Sequence, residues 1–216
     1  MRSLGRLLAL TGLLALAAPT ASATPVADSL THYYATQDTG AILRLYRQAE
    51  TQEERLLCTY RLFPLTQNPA WLSGLPDAEE ARTARELALV AAHWGYRTAN
   101  AAPWQVPFYG RRSEGALAQA RALDPNEPYV LLVEGQSLLY KPGIFGGDAA
   151  AAQARFERLR EVLRARPAPG LHPMEAEVWI WMALRKQNAP GAESVRQRLL
   201  GRRPPPLFRQ FLIDPP

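Results

Sequence analysis

The chain is 216 residues long, 47% hydrophobic, with a formal net charge of +5. That length accommodates one domain with a sizeable core. The single cysteine, Cys58, excludes an internal disulfide, and the three scattered histidines, His32, His93 and His172, fall in no spacing that makes a zinc site.

In chain order, Arg2 and Arg6 precede an uncharged run from Leu7 to Ala18, and Ala21-Ser22-Ala23 supplies small residues at cleavage positions, so residues 1–23 read as a signal peptide. A retained amphipathic anchor is the alternative. The run is too short to span a bilayer core of roughly 30 Å, and no later segment is long and apolar enough, so no integral span is expected in a mature chain beginning near Thr24. No cysteine follows the small residues, which argues against a bacterial lipid anchor. The expected compartment is periplasmic or extracellular, where nucleic acid is not an expected partner. Loss of Arg2 and Arg6 leaves +3, unevenly placed: residues 24–150 carry 11 basic and 14 acidic side chains, residues 151–216 carry 12 and 6.

Helical periodicity predicts two short helices over 27–37 and 39–49, the first with Leu30, Tyr33 and Tyr34 on its apolar face, the second with Ile42, Leu45 and Tyr46. Thr51 followed by Glu54 resembles a capping box ahead of a third helix, which carries Leu56, Leu57, Tyr60 and Phe63 and ends at 64–67. Cys58 lies in this pattern and reads as a small buried hydrophobe. A loop over 68–76 is held down by Trp71, Leu72 and Leu75. Asp77 is expected to cap a longer helix through Leu87, Trp94 and Gly95, followed by a proline-rich connection over 101–110 and a helix from about Arg111 to Leu123.

Pro128 suits the first turn of the next helix, which carries Leu131, Leu132, Gly135, Leu138 and Leu139. Lys141-Pro142-Gly143 stops it, and Asp148 caps a further helix with an apolar stripe of Ala152, Phe156, Leu159 and Leu163. Arginines on this helix are interleaved with Glu157 and Glu161, offering pairs such as Glu157–Arg160 and Glu161–Arg164 on a solvated face. A last pair starts at His172-Pro173, turns at 188–191 and continues through Val195, Leu199 and Leu200. An apolar tail from Leu207 to Ile213 reads as a cap over the end of the array.

Gly135 at the small crossing position, with Ala152-x3-Phe156 on the second helix, resembles the tetratricopeptide repeat. Trp94-Gly95 stands in the Leu-Gly place of an earlier unit, so Trp94 is expected in a helix crossing. Gly95 and Gly135 lie 40 residues apart, and Leu117 and Phe156 lie 39 apart, giving degenerate repeats over about 77–125, 128–167 and 173–206. The loop Pro142-Gly143-Ile144-Phe145-Gly146-Gly147-Asp148 with its following helix resembles a family of exported bacterial tetratricopeptide-like proteins. It is also somewhat similar to the tetratricopeptide partner proteins of TRAP-type periplasmic transporters. The resemblance covers roughly residues 85–200 and implies an all-α array of antiparallel helix pairs, an α-α superhelix with expanded connections between the first and second helix of each pair. It implies no catalytic residue, and the chain offers no nucleophile elbow around Ser137, no phosphate loop, and no expected cofactor or metal.

The function expected is that of a non-enzymatic exported scaffold binding a protein or peptide in the cell envelope, with a periplasmic small-ligand carrier or transporter accessory as the alternative. Glu134, polar where the repeat has an apolar residue, reads as a surface carboxylate or as a groove residue facing a ligand. Trp104 and Tyr109 in one long connection, and Tyr140 and Phe145 at the other, are the further candidates for partner contact. The usual fate of large apolar side chains favours Trp104, Phe108, Tyr109, Ile144 and Phe145 as plugs that finish the core.

Overall fold

A computed structural model describes residues 25–74 and 76–215. The expected signal peptide and Leu75 lie outside them. The described residues form ten α-helices and no strand, so the protein is all-α. No described helix is long and apolar enough to cross a membrane.

Helix α1 (Pro25–Ala35) is followed by α2 (Thr39–Gln48), whose first amides are capped by Asp38, and by α3 (Gln52–Thr66), which begins with the full Thr51/Glu54 capping box. A short 3₁₀ turn, Pro69–Leu72, buries Leu72. The expectation that Asp77 starts the next long helix is corrected. Asp77 and Glu80 close a capping box around a single 3₁₀ turn, Ala81 is extended, and α4 (Ala84–Ala99) starts only after Thr83, whose hydroxyl accepts from Glu86 N. Two cap sequences lie six residues apart, and the second one governs the helix.

The next helix, α5 (Val106–Leu123), starts earlier than expected. Pro107 sits in its first turn, where a missing N–H costs nothing, so half of the proline-rich connection is helical. Helices α6 (Pro128–Tyr140), α7 (Ala149–Ala165), α8 (Pro173–Lys186) and α9 (Ala192–Gly201) fall where the sequence pattern places them, and the apolar tail read as a cap forms a further helix, α10 (Pro206–Ile213). On α7 the ion pair is Arg158–Glu161, in place of the two pairs expected from spacing alone.

Sequence neighbours pack together, α2 on α3, α4 on α5, α6 on α7 and α8 on α9, and a second layer of contacts joins α3 to α4, α4 to α6 and α6 to α8. Every helix contributes to one connected hydrophobic core. The chain also closes on itself: α10 packs on α8 and α9, as expected of a cap, but it reaches α1 as well, and Gln37 Nε2 donates to Gln210 Oε1 across that contact at 2.9 Å. An open helical array keeps its first and last helices apart, since each repeat meets only its neighbours.

Candidate functional site

The interior between the helices is filled by the chain's own residues. Arg61 of α3 forms a bidentate pair with Glu175 of α8, at 2.8 and 2.9 Å, and also donates to the Gly170 carbonyl at 2.7 Å. Both side chains are buried, and the guanidinium lies 4.1 Å from the Tyr34 ring centroid and 4.9 Å from that of Tyr60. Its Nε has no hydrogen-bond partner among the described residues and is covered by these rings. Gly170 has φ +75°, and a Cβ there would stand 2.5 Å from the Tyr129 hydroxyl, which donates to Pro169 O; the turn therefore requires glycine. Tyr60 stacks on Tyr96 and donates to Gln136. Burial pushes the Tyr34 hydroxyl up to about 12 and raises those of Tyr60, Tyr96 and Tyr129 as well, so all four stay neutral. Burial likewise pushes the Cys58 thiol up to about 12, which makes it the inert hydrophobe expected.

His93 belongs to the same layer. Its Nδ1 donates to Leu89 O, leaving Nε2 to face the Thr59 hydroxyl at 2.9 Å in the neutral ring. Burial lowers its pKa to about 4, with Arg97 acting in the same direction against the Leu89 hydrogen bond. Between about pH 6.5 and 4 the unfolded chain therefore binds a proton that the folded chain refuses, so stability falls as pH drops through that window, by on the order of 3 kcal/mol. His93→Gln should flatten this part of the stability-against-pH curve; an unchanged difference between pH 7 and pH 4 would remove His93 as its cause.

Glu134 is not the surface or groove carboxylate expected. It is 5% exposed and clamped between the half-exposed Arg121 of α5 at 3.0 Å and Arg155 of α7 at 2.9 Å, so a covered carboxylate ties three helices together. The neighbouring Gly135 is the small crossing residue: a Cβ there would come within 2.3 Å of the Phe156 ring. Ala152 and Phe156 are fully buried, as expected. Gly95 has ordinary room, its nearest contact for a Cβ being Ser113 Oγ at 3.8 Å, while Trp94 is buried and packs against Tyr109 of α5.

The plug reading of the two connections is overturned. Ile144 is 86% exposed, Trp104 80%, Phe145 65%, Phe108 54% and Tyr140 50%. Tyr109 turns inward against Trp94, and the half-exposed Tyr140 sets its ring edge-on to the buried Trp179. The 142–148 loop is a compact turn. Gly146 has φ +87°, a Cβ on Gly147 would strike Lys141 O at 1.9 Å, and the amides of Phe145, Gly146, Gly147 and Asp148 all donate to carbonyls within 138–143. Asp148 then caps α7 through Ala150 N and Ala151 N. The glycines and the aspartate therefore shape a compact, internally hydrogen-bonded tip that leaves Ile144 and Phe145 in solvent.

These exposed side chains share one edge. Lys186 Nζ at the end of α8 donates to Leu139 O near the end of α6, and Gln187 donates to Ala149 O and Gln153 at the start of α7. Lys141 Nζ, at the end of α6, reaches Glu114 of α5 at 2.7 Å. Phe108 precedes Glu114 by six residues, roughly 9 Å along the helix, which carries it and Trp104 to the same side as the 143–145 turn.

No group of three or more histidine, cysteine or carboxylate side chains suited to a metal lies among the described residues. An open notch of about 610 Å³ between α8, α9 and α10 is lined by Trp181, Arg185, Arg196, Leu212 and Ile213, with Arg196 already held by Glu193. Comparison with family models, with curated proteins and with solved structures finds no match to this chain. Its class therefore rests on its own architecture, an all-helical protein with a filled interior and one apolar edge. Arg61 and Glu175, the residues that organise the interior, are not among those the sequence pattern singles out.

Proposed function

We propose that this chain is a non-enzymatic, exported scaffold of the tetratricopeptide type, held at the cell envelope by its aromatic edge so that the rest of the array is presented to protein partners. The observation that carries the reading is the concentration of Trp104, Phe108, Tyr140, Ile144 and Phe145 on one edge. Large apolar side chains exposed together at one end of a helical protein mark a contact site. The helix pairs α4–α5 and α6–α7, with Gly135 against Phe156 at the crossing, support the repeat assignment, with the ends drawn together into a closed form. A small-ligand carrier fits less well, because the interior between the helices is occupied by Arg61, Glu175 and the tyrosines.

Fractionation of cells making the tagged protein tests this. The native chain should be recovered with the envelope, and Trp104→Ser combined with Phe145→Ser should move most of it to the soluble fraction with its helicity intact. Native protein found free in the soluble fraction would overturn the proposal.

A further inference from the structure

We infer that this edge seats directly on an anionic lipid bilayer surface, with the turns at 104–108 and 143–145 inserted at the headgroup level. The inference rests on the reading of the edge as the attachment face and names what it attaches to. Three features select a bilayer over a protein receptor.

Trp104, Ile144 and Phe145 stand in the short connections beyond the helix ends, with Phe108 in the first turn of α5 and Tyr140 at the end of α6, and none of the five lines the notch between α8, α9 and α10. Trp, Phe, Tyr and Ile are the side chains that partition into the membrane–water interface, whereas a protein anchor is ordinarily a side chain matched to a pocket. Backbone polarity is the second feature. In the 142–148 turn the amides of residues 145–148 are satisfied within the loop and the preceding helix end. At the other tip, Ala102 N donates to the Gln105 side chain and Gln105 N to Ala102 O, while Pro103 and Pro107 have no N–H at all. Seating the tips at the headgroup level, where water and phosphate oxygens remain available, leaves the amides of Trp104 and Ile144 with acceptors while the bonded amides around them need none.

The third feature is charge. Arg111 in the first turns of α5, which donates to Pro107 O, and Lys186 in the last turn of α8, which donates to Leu139 O, have no carboxylate partner among the described residues. Among the acids near the tips, Glu114 is paired with Lys141 and Asp77 with Arg112, while Asp148 is turned into the start of α7 by the amides of Ala150 and Ala151. Apolar tips bordered by unpaired cations match an anionic headgroup surface.

The test is co-sedimentation of the purified exported chain with vesicles of mixed phosphatidylcholine and phosphatidylglycerol, against vesicles of phosphatidylcholine alone. Partitioning should favour the anionic vesicles by about tenfold or more and weaken with added salt. Trp104 emission should shift to the blue on binding, as its indole leaves water. The triple variant Trp104→Ser/Ile144→Ser/Phe145→Ser should lose at least about tenfold in partitioning at unchanged helicity. Ile144→Ser alone, at the most exposed of the tips, serves if the triple variant unfolds. Absence of vesicle binding, or binding indifferent to these substitutions, overturns the inference. If cells nevertheless retain the native chain in the envelope and release the tip variant, the edge binds a protein receptor: the scaffold reading then stands and the lipid assignment falls.

Discussion

Arg61→Ala should lower the unfolding free energy by about 3–5 kcal/mol, because it leaves the buried Glu175 carboxylate without a counter-charge. Desolvating the two ions is costly, and their mutual attraction offsets that cost only while both are present, so the pair adds less to net stability than its removal takes away. The Arg61→Met/Glu175→Met double variant should therefore recover most of the loss. Arg61→Lys should fall in between, since one ammonium cannot meet both Glu175 oxygens and the Gly170 carbonyl in the fork geometry that the guanidinium supplies. Urea unfolding followed by circular dichroism decides it. A double variant as unstable as Arg61→Ala would show that the stranded carboxylate is not the source of the loss.

Phe156→Ala should be comparably severe, at about 3–5 kcal/mol, because the ring is fully buried, stacks on Trp179 at 5.7 Å and closes the α6–α7 crossing. The same ring determines what position 135 tolerates. Alanine is the better helix former by about 1 kcal/mol, yet Gly135→Ala should destabilise by about 1–3 kcal/mol, since its methyl would lie 2.3–2.8 Å from the Phe156 ring carbons. In a Phe156→Leu background the smaller side chain leaves room, and Gly135→Ala should become neutral or stabilising. That change of sign is a double-mutant coupling. Equal effects of Gly135→Ala in both backgrounds would contradict a crossing set by this contact.

Local chemistry made several elements legible in the sequence. The Thr51/Glu54 box, Pro128, Asp148 and His172-Pro173 each satisfy or forgo the free amides of a helix start, and α3, α6, α7 and α8 begin there. Where two local signals compete the reading fails: Asp77 holds one 3₁₀ turn and Thr83 takes the helix. Pro107 marks a loop by composition but also suits a first helical turn, which is how α5 came to start inside the expected connection.

Long-range pairing is a different matter. Arg61 stands in an otherwise apolar stretch, a sign that a charge must be buried, but its partner lies 114 residues away and no periodicity points to it. Glu134 shows the same gap. A carboxylate on an apolar helix reads as a surface or groove residue until Arg121 and Arg155 arrive from neighbouring helices. The exposed tips were misjudged for the opposite reason. Large apolar side chains are usually buried, whereas here Gly146 and Gly147 fix a turn that leaves Ile144 and Phe145 outside the core.

The central claim, that the chain works through the edge bearing its two aromatic turns, is tested most directly by site-specific photocrosslinking in intact cells. A photoactivatable phenylalanine analogue is placed at Ile144 or Trp104, with Leu123 as the control, an exposed apolar residue at the far end of α5, about 27 Å along the helix from its start. The account predicts crosslinks to envelope components from positions 144 and 104 and none from 123. Crosslinks from 123, with 144 and 104 silent, would contradict it.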